Sequence, residues 1–128
     1  MTRLLVVDDV PLFRAGLTSA LTAAGFEVAG EAGSAESAVA QAEEHQPDLV
    51  LLDVLMPGLS GLDVVEKITA VSPHSSVVLL TGSESEEDML TALKAGARGY
   101  IVKDMPFPVL VDSIVAVADG GAAISPQM

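Results

Sequence analysis

The stretch RLLVVDDVPLF, residues 3–13, sets a short apolar run, Leu4 to Val7, directly before two adjacent aspartates, Asp8 and Asp9. A run that is apolar at every position, rather than at alternate ones, reads as a strand buried on both faces, and such strands belong to parallel sheets covered by helices. A single Asp at its end would be an ordinary turn residue, because its side chain can hydrogen-bond the backbone. Two side by side repel, so a cation or a basic side chain is expected near them.

The same pattern recurs along the chain. Leu49–Leu52, Val77–Leu80 and Gly99–Val102 are continuously apolar, and Phe26–Gly30 is a weaker run that suits an edge. Helical patterns lie between them. Phe13, Leu17, Leu21 and Ala24 recur at helical spacing and Gly25 is placed to end that helix. Ser34 is placed to cap a second segment reaching about His45, and Leu62, Val65 and Ile68 mark a third. Ser85 with Glu86, Glu87 and Asp88 opens a fourth, acidic where the helix dipole favours it, and Gly96 closes it; Pro108 to Ala118 makes the fifth. Five strands alternating with five helices predict an α/β fold, a parallel sheet with helices on both faces. Ligands of such sheets bind at the carboxyl ends of the strands.

At 128 residues, half of them apolar, the chain suits one domain with one sizeable core. It has no cysteine, which excludes disulfides and thiolate metal sites and fits a reducing cytoplasm. Four apolar residues before the aspartates are too few for a signal peptide, and Val109 to Ala118, interrupted by Asp112, falls short of the about 20 residues that a membrane helix needs. A soluble, cytoplasmic chain without a membrane partner is expected. The formal charge is −12, and the six basic residues, Arg3, Arg14, Lys67, Lys94, Arg98 and Lys103, are scattered. This segment is therefore not expected to bind nucleic acid directly.

Polar residues end the buried runs: Asp8 and Asp9 the first, Asp53 the third, Thr81 the fourth and Lys103 the fifth. All should project from one edge of one sheet. Oxygen donors without His or Cys suit a hard cation such as Mg²⁺, and three acids against one lysine leave a negative excess that a divalent ion balances. A hydroxyl and an ammonium aimed at carboxylates and Mg²⁺ point further, to a phosphoryl group. Neither G-x-G-x-x-G nor G-x-x-x-x-G-K-[ST] occurs, so no nucleotide cradle is recognisable and the phosphoryl group must come from another donor. Asp53 is the best acceptor, because Pro57, Gly58 and Gly61 after it suit a tight open loop. His45 and His74 are assigned no metal or phosphotransfer role.

The segments VVDDVPLFRAGL, PDLVLLDVLMPGLSGLDV, VVLLTGS and ALKAGARGYIVKD resemble the receiver domain of two-component response regulators, from about Arg3 to Pro126. PLFRAGL, GARGYIVKD and AISP further resemble the NarL/FixJ (LuxR-type) subfamily, whose members usually continue into a helix-turn-helix DNA-binding domain. The resemblance implies the flavodoxin-like receiver fold, strand order 2-1-3-4-5, with a receiver domain over residues 1–122 and residues 123–128 opening a linker to an output domain. It implies that Asp53 accepts a phosphoryl group from a sensor histidine kinase, with Mg²⁺, or Mn²⁺ in its place, held by Asp9, Asp53 and the backbone carbonyl of Leu55, and by Asp8 through water. Lys103 and Thr81 would meet the phosphoryl oxygens, and Thr81 and Tyr100 would form the switch that alters dimerisation or an output domain and so regulates transcription. Such a domain catalyses its own phosphorylation and dephosphorylation without being an enzyme in the usual sense.

Two positions depart from the family's habit. Val10 stands where a polar residue, often His, is common, and Leu55 where a longer polar side chain is frequent. Both flank the entrance to the site. Two other readings compete. An aspartyl-nucleophile phosphohydrolase of the haloacid-dehalogenase kind wants a D-x-D pattern, whereas Asp8 and Asp9 are adjacent and Leu55 stands two after Asp53. A receiver acting only as a phosphorylation-independent interaction module would lack an acid, the threonine or the lysine, and this chain has all of them.

Overall fold

The computed structural model describes residues 2–53, 61–81, 94, 96–102 and 105–118. Five strands are present: β1 (Arg3–Val7), β2 (Glu27–Ala32), β3 (Leu49–Asp53), β4 (Ser76–Thr81) and β5 (Gly99–Val102). All pair in parallel, in the order β2-β1-β3-β4-β5. Among the described residues the helices are α1 (Pro11–Ala23), α2 (Ala35–His45), α3 (Gly61–Val71) and α4 (Phe107–Ala118). That makes four where the sequence predicts five; the predicted helix from Ser85 to Gly96 lies outside the described residues apart from Lys94 and Gly96.

The continuous apolar runs are explained by two separate cores. Successive side chains on a strand face opposite sides of the sheet. Leu5, Val7, Val50, Leu52, Val77, Leu79 and Tyr100 pack with Ala38 and Ala42 of α2 and Val64, Val65 and Ile68 of α3. Leu4, Val6, Leu49, Leu51, Val78, Leu80 and Ile101 pack with Leu17 and Leu21 of α1 and Leu110, Val111, Ile114 and Val117 of α4. Neither face is left to water, so the strands carry no polar alternation.

Local signals set the helix ends. Gly25 adopts φ +98°, and the N–H groups of Gly25 and Phe26 donate to the carbonyls of Thr22 and Leu21. This doubled closure of a helix end favours a glycine at the left-handed position. Oγ of Ser34 accepts from the N–H of Ser37 at 3.2 Å, capping α2. The helix ends at Gln46, itself left-handed with φ 46°.

β2 is an edge strand, as its weak pattern suggests, but it runs two residues further than the predicted Phe26–Gly30. The ladder with β1 extends it to Ala32 and skips a residue between Val28 and Gly30. On its free side, Nε2 of Gln41 from α2 donates to the carbonyl of Glu31 at 2.6 Å. A Cβ on Gly30 would collide with that same Gln41 amide. Among the described residues no helix is long and apolar enough to cross a membrane.

Candidate functional site

The parallel registers bring the strand ends level. Val7 pairs with Leu52, Asp53 with Leu80, and Thr81 with Val102. Asp8 therefore leaves β1 beside Asp53, the last residue of β3, with Thr81 at the end of the next strand. One carboxylate oxygen from each of Asp8, Asp9 and Asp53 lies within 4.8 Å of the others. Asp8 and Asp53 are 0% and 1% exposed, Thr81 is buried, and Asp9 is half-buried.

Asp8 is fixed by its backbone as much as by its side chain. Its N–H donates to the carbonyl of Ala32 at 3.0 Å, continuing the β1–β2 ladder past the strand. Its Oδ1 accepts from the N–H of Val10 at 2.8 Å, which turns the chain into α1. Its carbonyl accepts from Nη1 of Arg14 at 2.5 Å. The same guanidinium faces Glu31 at 3.3 Å. Pro11 then starts α1, where a missing N–H costs nothing.

Three carboxylates in so small a space need positive charge. The donor set fits a hard divalent cation: it is all oxygen, two members are buried, and the spread suits an ion that takes one or two carboxylates directly and keeps water on its remaining positions. The geometry thus brings together Asp8, Asp9 and Asp53 as predicted, with Thr81 level with them. Leu55 and Lys103, and the open loop predicted after Asp53, lie outside the described residues. Tyr100 is buried opposite Leu79, within the core shared with α3. Val10 stands about half exposed beside the acidic turn.

Arg14 is the residue that sequence reasoning passed over, counting it among scattered cations. No pattern in the sequence singles it out, because its partners meet it only once β2 lies beside β1.

Comparison with known proteins agrees with this geometry. Residues 4–115 match the family described as the response regulator receiver domain. The chain is 38% identical over 123 residues to the nitrate/nitrite response regulator protein NarL of Escherichia coli K12, covering 95% of this chain and 57% of that protein. The chain thus spans a little over half the length of this relative. It is 34% identical over 116 residues to the chemotaxis protein CheY of Thermotoga maritima, covering 91% of this chain and 97% of that one. The crystal structure of a LuxR-family two-component response regulator from Aurantimonas sp. SI85-9A1 superposes with a TM-score of 0.92 at 30% identity, over 99% of this chain and 91% of that one. The acidic strand-end site, the 2-1-3-4-5 sheet and the family match agree: this chain belongs to the response regulator receiver domain family of two-component systems, and its relatives include regulators of the LuxR/NarL type.

Proposed function

We propose that Asp53 is the phosphoacceptor of this receiver, and that Asp8 and Asp9 complete a Mg²⁺ site beside it. The observation that carries the reading is the convergence of three carboxylates within 4.8 Å at one sheet edge, with Thr81 at the end of the adjacent strand. Asp9, Asp53 and the backbone carbonyl of Leu55 would hold the ion directly and Asp8 through water; Mn²⁺ would satisfy the same oxygens. Bound there, the ion supplies positive charge to the phosphoryl oxygens. An oxygen of the Asp53 carboxylate bonds to phosphorus as the phosphorus–nitrogen bond of a kinase phosphohistidine breaks and the imidazole leaves. Thr81 and Lys103 meet the transferred oxygens, and the chain's own residues promote both this transfer and later hydrolysis.

On this reading Thr81 and Tyr100 couple that event to the face expected from β5, α4 and the helix predicted over Ser85 to Gly96, which lies largely outside the described residues, shifting a two-state equilibrium that governs dimerisation or contact with an output domain. On this reading residues 1–122 are the receiver and 123–128 begin a linker toward a DNA-binding domain. On the same reading the chain works in the cytoplasm, the donor is a sensor histidine kinase, and the output is transcription.

Incubation with acetyl phosphate and Mg²⁺ followed by intact mass measurement tests the first half. The expected result is a gain of one phosphoryl group that Asp53→Ala abolishes. No gain in the parent, or an undiminished gain in the variant, overturns the assignment. Sedimentation with and without beryllofluoride tests the second half, and an unchanged mass distribution counts against activation through dimerisation.

A further inference from the structure

The contacts around the β1–α1 turn carry one step more. Arg14 reaches from α1 to the backbone carbonyl of Asp8 and to the carboxylate of Glu31 at the end of β2. Its side chain is 23% exposed. A cationic side chain beside a cation site would ordinarily repel the ion it is meant to serve. Glu31 removes that conflict by balancing the guanidinium charge, so the pair delivers hydrogen-bond donors with little net field. Room for it comes from Gly33: a Cβ there would stand 3.0 Å from Nη1 of Arg14 and 3.9 Å from the carbonyl oxygen of Asp8. Gly33 is not among the described glycines of positive φ, which are Gly25 and Gly96, so a side chain there would disturb the approach of Arg14 and not the backbone conformation.

We propose that Arg14, charge-balanced by Glu31 and admitted by Gly33, is a positioning residue that fixes the Asp8–Asp9 turn for divalent cation binding. The inference rests on reading Asp8, Asp9 and Asp53 as that cation site. With the Asp8 carbonyl held by Arg14, its N–H by Ala32 and its Oδ1 by the Val10 amide, the turn has one arrangement before the ion arrives. Ion binding then need not order it. Groups that orient metal ligands in this indirect way change affinity by about 10–100-fold when removed.

The test is a double-mutant cycle on the dissociation constant for Mg²⁺, measured by titration calorimetry, with Gly33→Ala and Arg14→Met as its two arms. Gly33→Ala, whose Cβ would stand 3.0 Å from Nη1 of Arg14 and push the guanidinium aside without removing it, is expected to weaken Mg²⁺ binding by less than the about tenfold of outright removal, and to have no further effect in the Arg14→Met background. Amide exchange at Val10 should quicken in both single variants, a readout independent of charge at the ion. Arg14→Lys, which keeps the charge but not the two-pronged donor, provides a second background for the same cycle. Glu31→Gln should weaken binding by unbalancing Arg14, and less so at high salt.

Equal cost of Gly33→Ala in the parent and in the Arg14 backgrounds, or no cost in the parent, overturns the role of Arg14 while Mg²⁺ binding by the parent leaves the cation site standing. A Glu31→Gln variant that binds Mg²⁺ more tightly overturns the balancing role. Absence of saturable Mg²⁺ binding by the parent overturns the cation site and the proposal together.

Discussion

Asp53 lies directly opposite Leu80 in the β3–β4 ladder, so Thr81 stands one residue beyond it on the neighbouring strand. This offset leaves Asp53 flanked by acids on one side and by a hydroxyl on the other. A group bonded to Asp53 would have Asp8 and Asp9 on one side and Thr81 on the other. Thr81→Ala is accordingly expected to leave Mg²⁺ affinity unchanged and to slow phosphorylation by acetyl phosphate about tenfold or more, since a lost donor to a developing oxyanion costs up to about 10²–10³ in rate. Parallel calorimetry and time-resolved intact mass measurement separate the two effects.

The crowding of Asp8, Asp9 and Asp53 has a consequence for stability. Mg²⁺ that binds the folded chain alone at ten times its dissociation constant should stabilise it by about 1.4 kcal/mol. That corresponds to a rise of about 4–6 °C in thermal midpoint for a domain of this size. Asp9→Ala should abolish the Mg²⁺-dependent rise while raising the midpoint of the metal-free protein, because it relieves repulsion in the cluster. Differential scanning calorimetry with and without Mg²⁺ measures both.

Burial separates two leucines of similar chemistry. Leu51 is fully buried in the central strand and packs into the α1 and α4 core, whereas Leu12 on α1 is 84% exposed. Leu51→Ala should cost about 2–5 kcal/mol. Leu12→Ala should change stability by no more than about 0.5 kcal/mol. Urea unfolding monitored by circular dichroism would distinguish them.

Gly25 makes a purely conformational prediction. Its φ is +98° and a Cβ there would meet nothing within 4 Å, so Gly25→Ala adds no clash. The expected cost is about 1–2 kcal/mol from the left-handed backbone alone. Ser34→Ala, which deletes the cap of α2, should cost about 1 kcal/mol.

What could be read from the chain, and what could not, follows from the range of each interaction. β1, β3, β4 and β5 were legible because both faces of each strand are covered, which makes the run itself the signal. Once parallel pairing was inferred, Asp8, Asp9, Asp53 and Thr81 had to share an edge, and they do. β2 was harder: Glu27 to Ala32 includes two glutamates and a glycine, so its bounds come from the β1 ladder rather than from its own pattern. Arg14 was invisible for a related reason. Its partners, the Asp8 carbonyl and Glu31, come together only when β2 lies beside β1, and no periodicity encodes the reach of a guanidinium.

The Gln41 side chain bears on how copies of this chain can meet. The carbonyl of Glu31 on the outer rim of β2 would otherwise offer an acceptor to an incoming strand, and Gln41 already occupies it, with Gly30 leaving space for the amide. Glu27 and Glu31 of the same strand are each held in an ion pair, with Arg3 and Arg14. Such an edge resists extension by another molecule's strand. Growth of the sheet from one molecule into the next is thereby disfavoured on this side.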